Sequence, residues 1–92
     1  MARQIWKYPI QTVGEQELEI SPGATILDIQ LQDGDPYMWI IIDTEKKVEK
    51  RILRIYGTGH TLDDNANINN YLGTYQTKNG FVWHVFDITD SK

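Results

Sequence analysis

The sequence has no cysteine. That absence removes disulfide frameworks, thiolate metal sites and cysteine nucleophiles, and leaves packing as the source of stability. Serine occurs only at Ser21 and Ser91, a turn and the tail, and neither has the setting of a nucleophile elbow. The two histidines, His60 and His84, fall on a loop and on a strand, too few and too separated for the three protein ligands of a catalytic metal. No run approaches the roughly 20 apolar residues of a membrane helix. Met1 to Ile10 reads as an amphipathic strand rather than the apolar core of a signal peptide, so a soluble, intracellular protein is expected. No internal repeat or low-complexity tract is visible.

What is present is short and acidic: 92 residues with a formal net charge of -4 and a pI near 4.9. This length suits a single domain over residues 1–92 with a thin core, and any sizeable pocket is expected to need a second subunit. The acidic balance argues against general nucleic-acid binding, which depends on neutralising many phosphates. A small anionic ligand remains compatible with it.

Alternating and β-branched apolar runs, separated by Gly, Pro, Asn and Asp, mark an antiparallel all-β domain of about seven strands, a sandwich or a partly open barrel. The runs are Arg3 to Ile10, Glu15 to Ile20, Ile26 to Gln32, Tyr37 to Asp43, Val48 to Tyr56, Tyr71 to Thr77 and Phe81 to Ile88. Pro9 makes the first an edge strand. In the second, Leu18 and Ile20 are expected inward and Glu15, Glu17 and Glu19 outward. In the third, Leu27, Ile29 and Leu31 share one face, and Asp33-Gly34 closes a hairpin onto the fourth. The fourth is apolar on both faces, Tyr37, Trp39 and Ile41 against Met38, Ile40 and Ile42, and is expected to be central and covered on both sides, one cover being another subunit. Residues 57–70 form an irregular polar segment with a short helical turn near Asp63 to Ile68. Ser21-Pro22-Gly23 turns the chain, and Asp90-Ser91-Lys92 is expected to fray.

The segment Tyr56-Gly57-Thr58-Gly59-His60-Thr61 is the candidate site. Two glycines flanking a threonine at a strand end let backbone N–H groups turn toward an anion, and His60 and Thr61 add hydrogen-bonding side chains. The competing reading is a tight turn, since neither the lysine of a P-loop nor a dinucleotide fingerprint is present. Five of the nine basic residues, Lys46, Lys47, Lys50, Arg51 and Arg54, crowd one turn and strand. Lys50, Ile52, Arg54 and Tyr56 share a face that leads to the glycine loop, making Arg54 the best phosphate ligand, or else a salt-bridge partner of Asp43 or Glu45. The ten aromatic residues exceed what a small core encloses. Trp39 and Trp83 suit the core or a subunit contact, while Trp6, Tyr8 and Tyr56 suit stacking on a base. Asn70 or His60 would reach a ribose hydroxyl. These residues call for no cofactor and no metal. A phosphodiesterase built on His60 with Asp63 or Asp64 is the minor alternative to a non-catalytic protein.

The strings IWKYPI, SPGATILDIQLQDGDPYMWIIID, RIYGTGHTLDD, YLGTYQ and FVWHVFDI resemble, over nearly the whole chain, a family of small bacteriophage-encoded proteins with no established catalytic signature. Small phage proteins of this size include signal sponges, such as those called Sequestin and Lockin, that sequester nucleotide immune signals. The resemblance implies a homo-oligomeric binder, in the cytoplasm of an infected bacterial host, of a cyclic ADP-ribose-type signal that it does not cleave. The alternative is a protein-interaction module that inhibits a host protein or assists phage assembly.

Overall fold

The computed structural model describes residues 2–21 and 23–89; the Pro22 position of the first turn and the Asp90–Lys92 tail lie outside them. Seven antiparallel strands follow one another as β1 (Arg3–Pro9), β2 (Glu15–Ile20), β3 (Thr25–Gln32), β4 (Asp35–Asp43), β5 (Glu49–Gly57), β6 (Tyr71–Gln76) and β7 (Val82–Asp87). They form a three-stranded sheet ordered β1-β4-β3 and a four-stranded sheet ordered β2-β5-β7-β6. Neither sheet closes on itself, so the architecture is a sandwich and not a barrel. Its extents are 42 × 33 × 16 Å, two layers of sheet and no more. No helix among the described residues is long and apolar enough to cross a membrane.

Period-two alternation decides which side chains fill the space between the layers. Met38, Ile40 and Ile42 of β4 meet Leu53 and Ile55 of β5, Val85 of β7 and Tyr75 of β6, with Ile10, Ile20 and Ile29 completing the buried cluster. β2 behaves as expected, with Ile20 buried and the three glutamates exposed. Opposite residues in an antiparallel pair share a face, so Glu15 and Arg54, Glu17 and Ile52, and Glu19 and Lys50 lie together on the outer surface. Tyr75 is buried, and its hydroxyl meets Thr12 Oγ1 at 2.8 Å, which satisfies the one polar atom it carries inside. That desolvation raises the phenol's pKa.

The Asp33-Gly34 hairpin has φ of 54° and 87° at its two central residues, the left-handed pair of a type I′ turn that matches strand twist. Where β3 leans on β6, Gly73 leaves just enough room for Ile29, whose side-chain carbons lie 3.2–3.4 Å from where a Cβ would stand.

Two expectations need correction. A register shift between Ile26 and Asp28 breaks the alternation of β3, so Ile26 and Ile29 turn toward the core and Leu27 is 48% exposed. A bulge adds one residue and flips the face of its neighbour. β4 is central as expected: within one copy its Met38, Ile40 and Ile42 face is covered by strands, and Tyr37, Trp39 and Ile41 are half-buried on the outside, the side on which another subunit was expected. In place of a helical turn over Asp63–Ile68 there is a single turn closed by the Ala66 N–H on the Asp63 carbonyl at 3.0 Å, because Asn, Asp and an adjacent Gly-rich segment favour turns over helix.

At one mouth of the sandwich Arg51 points inward and donates through Nε and Nη2 to Asp87 Oδ2. Asp87 Oδ1 accepts from the Thr89 N–H and hydroxyl. Burial works against the charged carboxyl, but the Thr89 hydrogen bonds and Arg51 outweigh it and hold the pKa below the ordinary value. Such a carboxylate stabilises the fold above its unfolded pKa of about 3.9 and loses that contribution as pH falls through the lower folded value. Asp87→Asn is expected to cost about 3 kcal/mol at pH 7 by leaving Arg51 uncompensated. Denaturant melts at pH 7 and at pH 3 check this: the difference between wild type and variant should shrink on the acid side.

Candidate functional site

The outer face of the four-stranded sheet carries the functional groups because its inner face is committed to Leu53 and Ile55. Arg54 and Tyr56, one step out of phase with those two, must therefore point away from the core. The 57–70 segment crosses this face. Tyr56, only 6% exposed, lies beneath it, donating its hydroxyl to Asp63 Oδ2 at 3.3 Å and setting its ring edge-on to Phe86 at 6.0 Å.

Arg54 is the centre of the arrangement. Its guanidinium carbon sits 4.7 Å from the Tyr56 ring centroid, in range for a cation–π contact. Asp63 Oδ2 is 3.9 Å from Nη2, with the Arg54 side chain 29% exposed. Gly14 makes the position available: a Cβ there would stand 2.6 Å from Arg54 Nη1. The interaction with Tyr56 comes first in holding the guanidinium pKa above its usual value; desolvation opposes it, while Asp63 and Glu15 add to it. Arg54 Nε is buried without a hydrogen-bond partner among the described residues, an under-satisfied donor on a group that carries five.

Two open clefts flank this side chain. One, of about 250 Å³, is lined by Glu15, Arg54, Tyr56, Asp63, Asn65, Ala66, Asn67 and Ile88. The other, of about 190 Å³, runs between Thr12–Gly14 and His60, Thr61 and Trp83. Arg54 and Tyr56 line both, so the clefts adjoin at these two side chains and together are the Arg54 groove.

The glycine turn is built differently from the expected anion cradle. The Gly57 N–H donates to His60 Nδ1 at 3.2 Å, the Thr58 N–H to the Val82 carbonyl and the His60 N–H to the Gly57 carbonyl, each at 3.0 Å. Two of these donors are spent inside the turn and the third on β7. Gly59, at φ 90°, supplies the left-handed residue, whereas Gly57 is needed for space: a Cβ there would meet the His60 ring at 2.7 Å. Donation from Gly57 leaves the His60 proton on Nε2, and the ring packs edge-on to Trp83 at 5.8 Å. Thr58 is also occupied at its hydroxyl, which meets His84 Nε2 at 2.7 Å. The chain continues from His84 Nδ1 to Thr74 Oγ1 at 3.0 Å and on to the Tyr71 hydroxyl. Thr58 thus ties the turn to β7.

Of the residues expected at the site, Arg54, Tyr56, His60 and Thr61 line the clefts, while Gly57, Thr58 and Gly59 form the adjoining turn and line neither. Trp6 and Tyr8 stand on β1 of the other sheet, 6.3 Å apart, and line neither Arg54 cleft. Asn70 belongs to a separate opening beside Arg51, Asp87 and Ile26. Asp43 and Glu45 are not the partners of Arg54: Asp43 is opposite Arg3, and Asp63 takes that place. Gly14, Asn65 and Asn67 were not expected at the site, and Glu15 was expected only as an outward residue of β2. The strand phase pairs Glu15 with Arg54 once β2 is set against β5, but nothing local in the sequence signals that pairing. Among the described residues no three His, Asp or Glu side chains converge as a metal site requires.

Fold and groove together define a two-sheet antiparallel β-sandwich with one arginine-centred polar groove. The whole chain, residues 1–92, matches the family described as a domain of unknown function, DUF7352, and the protein belongs to that family. No curated protein and no solved structure matches it.

Because Tyr56 is the link between the sheet and the crossing segment, Tyr56→Phe is expected to cost about 1 kcal/mol. Hydrogen exchange should show the Ala66 amide losing protection more than amides of β5 or β7.

Proposed function

We propose that this protein binds and sequesters a small phosphorylated nucleotide in the Arg54 groove without cleaving it. The observation that carries the reading is the state of Arg54: a guanidinium held on Tyr56, with a long ion pair and an unsatisfied Nε, at the junction of two clefts. A guanidinium of this kind is suited to phosphate oxygens. The groove also contains Glu15, Asp63, Asn65 and Asn67, acceptors for hydroxyl and amino groups. One cation among carboxylates repels a bare dianion and fits a ligand that brings both phosphate oxygens and hydroxyl or amine donors, as a nucleotide does. In this reading Arg54 takes the phosphate, Asp63 and the asparagines take the ribose, and His60 and Trp83 border the base.

The finer form of the proposal is a bacteriophage protein that withdraws a cyclic ADP-ribose-type defence signal in the host cytoplasm. It draws on the resemblance to phage-encoded proteins described above. The second reading, docking on a host protein, draws on the exposed Glu15, Glu17 and Glu19 row of the edge strand β2. A row of like charges there also discourages strand addition, which favours the groove.

The test mixes purified protein with cyclic ADP-ribose isomers, ADP-ribose and cyclic dinucleotides, removes unbound ligand, heat-denatures the complex and identifies what is released by mass spectrometry. Intact nucleotide is expected from wild type. Arg54→Ala should weaken binding by at least about tenfold, the value of one charge-assisted contact. Gly14→Ala should do likewise by displacing the guanidinium, with a melting temperature close to wild type. Inorganic phosphate should compete poorly. Equal retention by wild type and Arg54→Ala sinks the site, altered product replaces sequestration with catalysis, and capture of a stoichiometric host protein without nucleotide favours the second reading.

A further inference from the structure

The two sheets treat their outer apolar residues unequally. On the four-stranded sheet the outward Ile52, Tyr56, Phe86 and Ile88 lie along the face crossed by the 57–70 segment, which leaves Tyr56 and Ile88 buried. On the three-stranded sheet, Tyr37, Trp39 and Ile41 of β4 face outward beside Ile5, 63% exposed, and no strand or loop of the described residues lies over them. An outer sheet face in water ordinarily alternates to polar residues; this one is aromatic and branched along its central strand.

The polar residues that frame it are ordered by charge. The cross-strand rows run Ile5, Ile41, Thr25 and Lys7, Trp39, Asp28. The basic residues Arg3 and Lys7 stand on β1, the acidic Asp28 on β3 and Asp35 and Asp43 at the two ends of β4, with Tyr37, Trp39 and Ile41 between. Asp28 shares this face with Gln30, whose amide donates to it at 2.7 Å. Lys7 reaches over the Tyr37 ring, 4.5 Å from its centroid, to donate to Gln32 Oε1 at 2.6 Å.

We infer that this face is the interface of a homodimer, with the three-stranded sheets of two copies packed face to face. A two-fold axis lying in the interface parallel to the strands places β1 of one copy over β3 of the other and keeps each row opposite its own counterpart. Trp39 then meets Trp39, Ile41 meets Ile41, and Lys7 of each copy faces Asp28 of the other, while Asp35 and Asp43 oppose their own counterparts only at the solvent-exposed rims. Lys7 exchanges a neutral amide acceptor for a carboxylate, the stronger partner. The alternative axis, across the strands, sets β1 on β1 and opposes like charges.

Three strands spaced about 4.8 Å apart, each about seven residues long, give a face about 14 Å by 24 Å. Over both copies this is about 670 Å² before side-chain relief is added, below the roughly 1,000 Å² of specific interfaces and in the range of weak, transient ones. The dimer is accordingly weak and reversible. The Arg54 groove is on the opposite outer surface, so each copy keeps its own.

Sedimentation equilibrium over a concentration series reads the proposal directly. Wild type should shift from monomer to dimer, and Trp39→Lys should remain monomeric with unchanged circular dichroism. Lys7→Glu should weaken the dimer, as should Asp28→Lys, and the two together should restore it. A wild type that stays monomeric up to about 1 mM overturns the proposal and leaves the face to a partner of different sequence. A dimer indifferent to Trp39→Lys overturns it as well, and a double charge swap that fails to restore association overturns the opposed rows. Nucleotide retention by Trp39→Lys should equal that of wild type, so the fate of the interface and that of the Arg54 site are read separately.

Discussion

Burial of Leu53 and Ile55 on β5 is the constraint from which the rest follows. A strand alternates with a period of two, so once these two residues are inside, Arg51 must face in and Lys50, Arg54 and Tyr56 must face out. A slip of one residue would send Arg54 into the core and two aliphatic side chains into water. β5 also lies between β2 and β7, and its register therefore aligns Glu15 and Phe86 with Arg54. The groove is the outer consequence of an inner packing requirement.

The two arginines of this strand illustrate how environment separates identical side chains. Arg51 is closed on Asp87 by two donors to one oxygen and serves the mouth of the sandwich. Arg54 rests on an aromatic face with a distant carboxylate and an unsatisfied nitrogen. The first is a finished structural pair, and the second retains donor capacity beside open space. In a molecule only two layers thick there is no interior volume for a ligand, so binding chemistry has to be assembled on an outer face, by the crossing 57–70 segment and by the glycine at position 14 that leaves room for the guanidinium.

The turn after β5 shows how composition alone misleads. Gly-Thr-Gly at a strand end has the composition of an anion cradle, and the same glycines serve another purpose equally well. Gly59 supplies a left-handed residue and Gly57 a gap for the His60 ring. Three N–H groups of the turn are consumed by a histidine nitrogen and two carbonyls. Which way an amide points is a property of three-dimensional closure, and residue type does not encode it.

The sequence by itself determined the all-β class, the seven strands to within one or two residues, the left-handed Asp-Gly hairpin and the common face of Arg54 and Tyr56, because each is a matter of local alternation and turn stereochemistry. Only the tertiary structure decided the partition into three and four strands, the bulge that turned Leu27 outward, the Arg51–Asp87 pair, and the meeting of Gly14, Asp63 and Arg54. It also separated Trp6, Tyr8 and Asn70 from the groove. These depend on which strands become neighbours and on contacts between residues far apart in the chain, and period-two patterning is the same for every pairing that buries the same faces.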